Sequence, residues 1–218
     1  MKSSPRLFLR SGAAVLAIAV CTGAGLSACA PLLFSGAAVG ALMVTDRRTS
    51  GAQIEDEGIE LRSASRIRDS LVDRAHVNIA SYNRQVLLTG EVPTAQDKQL
   101  VEQIVSRVDN VRAVVNELGV MGNTSLVQRS SDLLITGKVK AAMVDAKDLF
   151  ANAFKVVTER GTTYLMGRVS QREADRATEI ARGTSGVVKV VRIFETVGDE
   201  ELKRLLPAAT PAPVETRQ

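Results

Sequence analysis

The sequence predicts an α+β fold made of two tandem copies of one unit, each ordered helix, strand, strand, helix, strand. Two observations carry the prediction: an internal repeat, and matching turn and helix-start signals inside each copy. Residues 77–92 align with residues 154–169 at an offset of 77. Each stretch contains two apolar runs around a polar turn, at 82–85 and 159–162, which is typical of an antiparallel hairpin.

A helix is predicted directly after each hairpin. Pro93 is an extra residue in the first copy, so the offset becomes 76. Ser170 with Glu173 forms a complete capping-box pattern, and Thr94 with Asp97 is a weaker version of the same signal. Both patterns start a run with apolar residues on one helical face.

The remaining elements complete a three-stranded mixed sheet that packs on two helices. The last strands are predicted over 112–120 and 188–197, and a further helix precedes each hairpin. A strand–helix–strand connection is a right-handed crossover, so each last strand should run parallel to one hairpin strand. Gly90 and Gly167 occupy matched places inside their strands, where glycine marks a bulge or a close backbone approach rather than a binding role.

The start of the chain has the pattern of an exported lipoprotein. Three basic residues precede an uncharged apolar core over 13–20, and Leu26-Ser27-Ala28-Cys29 resembles a bacterial lipobox. This reading predicts a signal peptide over 1–28 and lipidation of Cys29, with acyl chains such as palmitate. The alternative is an ordinary secretory signal cut after residue 30, with Cys29 incidental.

The segment that follows the cysteine is apolar but short. Fourteen uncharged residues, 31–44, are too few for a transmembrane helix. Two interpretations stay open: an interfacial helix beside the acyl chains, and a disordered tether. Ala30 after the cysteine, in place of aspartate, favours export to the outer membrane under the sorting rule of Gram-negative lipoproteins.

Composition argues against several function classes. Cys21 lies in the predicted signal and Cys29 would carry lipid, so neither a disulfide nor a cysteine metal site is expected in the mature chain. The single histidine, His76, is expected at the surface, and no carboxylate or serine has an activating partner. We therefore expect no enzyme activity, no cofactor and no metal. Nucleic-acid binding is not expected either, because the chain is 3% aromatic and lacks tryptophan.

The repeated strand–glycine pattern, the capped helix and the valine-rich last strand resemble the BON domain. Two such units behind a lipobox, together with the segment Thr45-Asp46-Arg47-Arg48, resemble the dual-BON outer-membrane lipoproteins. The predicted organisation is a signal peptide over 1–28, anchor and linker over 29–51, a first BON domain over 52–120, a linker over 121–130, a second BON domain over 131–197 and a disordered tail over 198–218.

The charge of the two copies differs in sign. Residues 52–120 contain 8 basic and 11 acidic residues, a balance of −3. Residues 131–197 contain 11 basic and 8 acidic residues, a balance of +3. Only the second copy has the sign that an anionic leaflet attracts.

The first helix of the second copy is the predicted membrane contact. Leu134, Lys138 and Ala142 follow helical spacing, with Lys140 nearby, so apolar and cationic groups could share one surface. The alternative is that the apolar positions pack on the sheet, which is expected of Ile135, Val139 and Met143. The resemblance implies contact with anionic phospholipid through this helix. Members can carry tryptophan where this chain has Leu134, so shallower binding is possible. The candidate phospholipid-binding set is Leu134, Lys138, Val139, Lys140, Ala142 and Met143.

Two functions are consistent with these sequence features. The first is a periplasm-facing outer-membrane lipoprotein that binds anionic phospholipid such as phosphatidylglycerol and, as the resemblance implies, supports envelope integrity. The second is a tethered scaffold that docks envelope or division proteins. Exposed apolar patches in the junction 119–129 would favour the scaffold.

Overall fold

The computed structural model describes residues 46–71 and 75–205. The predicted signal peptide, Cys29, the apolar segment 31–44 and the chain from residue 206 onward lie outside the described residues. Within the described ranges, no helix is long and apolar enough to span a bilayer.

The first domain follows the predicted order of elements. They are α1 (Ser50–Leu71), β1 (His76–Tyr82), β2 (Gln85–Val92), α2 (Ala95–Ser106), β3 (Ala113–Asn116) and β4 (Gly119–Val120). The single last strand predicted over 112–120 is in fact divided. Leu118 turns its side chain into the core, and its amide donates to the Asn116 side chain at 3.2 Å, so the strand is interrupted there.

The second domain repeats this order. Its elements are α3 (Leu126–Asp145), a 3₁₀ turn (Ala151–Ala153), β5 (Phe154–Glu159), β6 (Thr162–Val169), α4 (Gln171–Gly183), β7 (Lys189–Thr196) and α5 (Asp199–Leu205).

Three segments predicted to be linker or tail are partly helical. α1 begins at Ser50, and α3 begins at Leu126 because the Ser125 hydroxyl accepts a hydrogen bond from the Gln128 amide. α5 lies in the tail that the sequence analysis expected to be disordered. Glu201 of α5 pairs with Arg168 of β6 at 2.6 Å, a contact that depends on tertiary structure and has no local sequence signal.

The sheet topology confirms the predicted hairpins and crossovers. β1 pairs antiparallel with β2, and β5 with β6. The third strand of each unit, β3 or β7, runs parallel to the second hairpin strand. The strand orders are β1-β2-β3 and β5-β6-β7, so the central strand of each sheet is the one that follows the turn.

Helix-start signals act as predicted. The Thr94 hydroxyl accepts from the Asp97 amide at 3.1 Å. Ser170 and Glu173 form the complete capping box, because the Ser170 amide also donates to the Glu173 carboxylate at 2.9 Å. Both contacts satisfy amides that the first helical turn leaves without an intrahelical partner.

Each domain has its own apolar core between one sheet face and two helices. The first core includes Ile59, Ile67, Leu71, Val86, Leu88, Val101 and Val105, and the second includes Ile135, Val139, Met143, Phe154, Leu165, Ala177 and Ala181.

Two glycines allow the chain to pass close to its neighbour in the hairpin. A Cβ on Gly90 would lie 2.1 Å from the His76 carbonyl oxygen, and the residue has a φ of +105°. A Cβ on Gly167 would lie 2.6 Å from the Ala153 carbonyl oxygen. Neither position accommodates a larger residue without backbone movement, and at Gly90 the left-handed conformation adds strain.

Candidate lipid-binding helix and domain interface

The inner face of α3 is fixed in the core of the second domain. Asp132, Ile135, Val139 and Met143 are buried and recur at helical spacing. Val139 and Met143 are both 0% exposed. Both residues belong to the candidate phospholipid-binding set. Because the core encloses them, in this conformation they support the helix and do not reach a headgroup.

The outer face of α3 exposes a continuous series of apolar residues. Leu133, Leu134 and Val144 are 73%, 68% and 68% exposed. Gly137 and Ala141 are exposed between them. At 100° per residue these five positions lie opposite the core-facing side, and they are called the apolar ridge below.

Lys138 and Lys140 flank the apolar ridge on its two sides. Both are exposed, and they are the exposed charged residues between residues 130 and 144. Ala142 is half-buried at the edge of the helix. Leu134, Lys138 and Lys140 therefore share one solvent-facing surface, with Ala142 beside it. An apolar strip between two ammonium groups can lie in a headgroup layer with the strip towards the acyl chains.

Further apolar exposure extends towards the start of α3. Leu126 and Val127 in the first turn are 77% and 81% exposed. Before the helix, Val120 and Met121 are about half exposed. Sequence analysis did not select Leu133 or Val144. Their exposure follows from helical periodicity once Ile135, Val139 and Met143 are assigned to the core.

A buried aspartate joins the first helix of each domain to its own hairpin turn. The Asp132 carboxylate accepts from the Arg160 and Gly161 amides, both at 2.9 Å. Asp56 of α1 likewise accepts from the two amides of the first hairpin turn, at 2.8 and 2.7 Å. Sequence analysis missed both residues, although an aspartate recurring 76 residues apart on a core-facing helix position was an available signal.

The two domains are in contact through an apolar cluster between their sheets. The Tyr82 hydroxyl crosses this interface and donates to the Ala153 carbonyl at 3.2 Å. Burial raises the pKa of Tyr82 to about 12, so the hydroxyl stays a neutral donor. The cluster contains Ala80, Tyr82, Leu87, Tyr164, Met166 and Ile193.

Polar contacts surround the apolar cluster. Asn83 and Arg112 of the first domain both donate to the Glu195 carboxylate, at 2.8 and 2.9 Å. Lys155 of the second domain pairs with Glu60 of α1. These pairs bridge the acidic and basic copies, and they fix the relative orientation of the two domains.

His76, Glu91 and Glu159 bring three possible metal ligands within 4.8 Å of one another. Their existing partners identify the group as an interdomain hydrogen-bond network. Arg160 of the second domain donates to Glu91 at 2.8 Å, where it supplies the positive charge that a metal would bring. Burial alone would raise the pKa of Glu91, but hydrogen bonds from Arg160, Thr124 and His76 lower it. Burial raises the pKa of Glu159. A hydrogen bond from the side-chain amide of Asn78 offsets this rise only in part.

Comparisons with known proteins agree with this architecture. The BON domain family model matches residues 55–122 and 131–197. The Outer membrane lipoprotein DolP of Haemophilus influenzae is 37% identical over 172 residues, which cover 78% of this chain and 89% of that protein. The 21 kDa hemolysin of Actinobacillus pleuropneumoniae is 32% identical over 154 residues, 70% of this chain and 79% of that protein.

Among solved structures, CdsD, a structural protein of the type III secretion system of Chlamydia trachomatis, aligns with 65% of this chain and 96% of its own. The TM-score is 0.26 at 13% identity. Two BON matches in tandem, and a relative that matches over most of both chains, are decisive for the family. The chain belongs to the dual-BON family that includes the outer membrane lipoprotein DolP.

Proposed function

We propose that this chain is a non-enzymatic lipoprotein of the outer membrane that binds anionic phospholipid through α3 of its second BON domain. The observation that carries the proposal is the apolar ridge, a row of strongly exposed apolar residues between two lysines on a helix whose other face is fixed in the core.

The energetics of this surface suit a membrane interface. Burying a leucine side chain gains about 1.5–3 kcal/mol, and the ridge contains two leucines and a valine. Each lysine near an anionic leaflet adds about 1 kcal/mol. The lysines make the interaction selective for negative headgroups, whereas the ridge supplies attraction that salt does not screen.

Attachment at the membrane is part of the same proposal. The lipobox ending at Cys29 and the likeness to the Outer membrane lipoprotein DolP of Haemophilus influenzae both support an acylated protein of the outer membrane that faces the periplasm. Two acyl chains give stable anchoring, so α3 would act on the membrane that already holds the protein. Support of envelope integrity is the proposed role of this contact.

A second candidate is a tethered scaffold for envelope or division proteins. One observation favours it: the junction between the domains exposes Val120, Met121, Leu126 and Val127, as a docking surface would. The scaffold predicts a protein partner that crosslinks to the junction and remains bound after charge reversal of α3.

Vesicle co-sedimentation of the mature chain carrying Cys29→Ser tests the lipid proposal. The protein should sediment with phosphatidylglycerol vesicles, less at high salt, and should not sediment with phosphatidylcholine. Lys138→Glu with Lys140→Glu should abolish binding. The matched control is Arg66→Glu with Arg68→Glu, the same charge change on α1 of the first domain. Equal binding to both lipids, or binding that survives the α3 reversal, would refute the proposal.

A further inference from the structure

Arg47, three residues before α1, is buried against the second domain. The Arg47 side chain is 2% exposed, and its guanidinium pairs with both oxygens of Glu173, at 2.6 and 2.8 Å. It also donates to the Arg168 carbonyl at 2.9 Å. Glu173 belongs to α4, so this pair ties the segment before α1 to the second domain across 126 residues.

The next residue makes the corresponding contact with the first domain. Arg48 pairs with the buried Asp56 at 2.8 Å and with Asp46 at 2.7 Å. Its guanidinium also lies over the Tyr82 ring, 4.4 Å from the centroid. The side chains of two successive arginines thus bind two different domains. We call residues 46–48 with their partners the arginine clamp.

The clamp holds Glu173 in its charged form. Burial alone would raise the pKa of Glu173, but hydrogen bonds from Arg47 and Ser170 lower it. The carboxylate also completes the capping box of α4. Arg47 therefore pairs with a group that is already fixed at a helix start.

The clamp lies beside the end of the lipid-binding helix. The Arg47 guanidinium is 5.8 Å from the ring centroid of Phe150, which follows the last residue of α3 by five positions. Phe150 is 43% exposed, and Val144 at the end of the apolar ridge is 68% exposed. Arg47 thus contacts the second domain close to the C-terminal end of α3.

Chain length alone would leave the orientation of α3 undetermined. Cys29 precedes Arg47 by 18 residues, which can reach at most about 60 Å. Such a chain raises the effective concentration of α3 at the membrane. The resulting gain in membrane affinity requires that the acyl anchor and the apolar ridge can contact the membrane at the same time. The point at which the fold holds the tether is therefore decisive.

We propose that Arg47 is a positioning residue: its ion pair with Glu173 fixes the exit of the membrane tether beside the end of α3, so that the acyl anchor and the apolar ridge engage one leaflet as a single bivalent unit. This inference rests on the proposed lipid-binding surface of α3. The segment Asp46-Arg47-Arg48 is part of the sequence pattern that resembles the dual-BON lipoproteins. In this proposal the same segment also sets which side of the protein faces the membrane.

The test variant is Arg47→Met with Glu173→Gln. Removing Arg47 alone would leave a buried carboxylate without its cation and could unfold the domain. Glutamine at position 173 can still accept from the Ser170 amide and so retain the capping box. The matched control, Arg192→Met with Asp175→Asn, removes an exposed ion pair of the same domain.

The first measurement needs no lipid. Hydrogen exchange of the Cys29→Ser protein should show a slowly exchanging amide at Arg48 within residues 46–50, because this amide donates to the Asp46 side chain. The test variant should lose this protection, by about tenfold or more, while the core strands stay protected. The control should behave as wild type. Equal exchange of residues 46–50 in all three proteins would overturn the clamp.

The second measurement uses the acylated protein in vesicles with about one-tenth phosphatidylglycerol. An environment-sensitive dye at Ala141→Cys reports insertion of α3. The test variant should show about threefold less insertion, whereas the soluble Cys29→Ser form of the same variant should bind phosphatidylglycerol vesicles as wild type does. Unchanged insertion in the acylated variant would overturn the positioning role. Failure of the soluble wild type to bind at all would instead overturn the proposed function.

Discussion

The first helices of the two domains, α1 and α3, share an inner face and differ on the outside. At an offset of 76, Asp56 and Ile59 correspond to Asp132 and Ile135, and all four are buried. On the outer face, Glu57 and Gly58 of α1 correspond to Leu133 and Leu134 of α3. The repeat has kept the residues that build the fold and changed those that meet the surroundings.

The same comparison explains why the lipid proposal selects α3 and not α1. Ile54 and Leu61 of α1 are 70% and 73% exposed, as strongly as the ridge residues of α3. They are a full seven positions apart, with Glu55 and Glu57 between them. A leaflet of negative charge would repel this helix, so a contiguous strip and the sign of its neighbours both matter.

The largest expected difference between the two hairpins is the loss of stability when alanine replaces the matched glycine in each. We expect Gly90→Ala to destabilise the protein by about 4 kcal/mol, because a steric clash and left-handed strain add together. Gly167→Ala should cost about 2 kcal/mol, since it meets a clash without a positive φ. Urea unfolding measures both, and equal losses would remove this distinction between the copies.

Giving α3 the polar character of α1 should remove lipid binding. Leu133→Glu with Leu134→Gln eliminates the burial of two leucines, about 3 kcal/mol or 100-fold in affinity for phosphatidylglycerol vesicles. The fold should persist, because both positions face solvent. The matched change in the first domain, Ile54→Glu with Leu61→Gln, should leave binding unchanged. A loss of similar size in both proteins would mean that the domains contribute alike.

The two buried aspartates should differ in their contribution to stability. Asp132→Ala leaves two hairpin amides without their acceptor and should cost about 1–2 kcal/mol. Asp56→Ala should cost about 2–3 kcal/mol, because Asp56 also accepts from Ser81 and pairs with Arg48. Thermal unfolding of both variants checks the order, and a greater loss in Asp132→Ala would contradict it.

Acid should weaken the contacts that join the domains. Burial alone would raise the pKa values of Glu91, Glu173 and Glu195, but hydrogen bonds, several from arginines, lower them below the ordinary value of 4.5. Carboxylates of lowered pKa stabilise the fold above that value, and this stability is lost as the pH falls through their folded-state pKa values. The raised pKa of Glu159 acts in the opposite direction.

The urea concentration at the unfolding midpoint should therefore decrease as the pH is lowered from 5 to 3. The variant Arg47→Met with Glu173→Gln should show a shallower fall than wild type, because it lacks one such carboxylate. A midpoint that rises on acidification would mean that Glu159 outweighs the other three.

Local signals predicted the parts of the fold that depend on near neighbours in sequence. The Ser170 capping box and the two-residue turns follow from patterns within a few residues of each other, whereas the parallel last strands follow from the general rule for strand–helix–strand connections. The division of the last strand of the first domain was not predictable in this way, since it depends on Leu118 reaching the core.

The sequence contains one signal for the domain interface, in the central strand of the first domain. Val86, Leu87 and Leu88 are consecutive and all 0% exposed, so both faces of β2 are buried. An uninterrupted apolar run indicates a strand covered on both sides, whereas strict alternation would indicate a strand with one face exposed. By contrast, the pairing of Arg47 with Glu173 spans 126 residues, and no local pattern could have identified it.

The most direct test of the account compares two leucines of equal exposure. Leu61 and Leu133 are each 73% exposed, one on α1 and the other on α3. A polarity-sensitive dye on Leu61→Cys or Leu133→Cys, in the protein that carries Cys29→Ser, is measured with and without phosphatidylglycerol vesicles. Lipid binding through α3 predicts a blue shift at position 133 and none at position 61. A shift at both positions, or at neither, would contradict it.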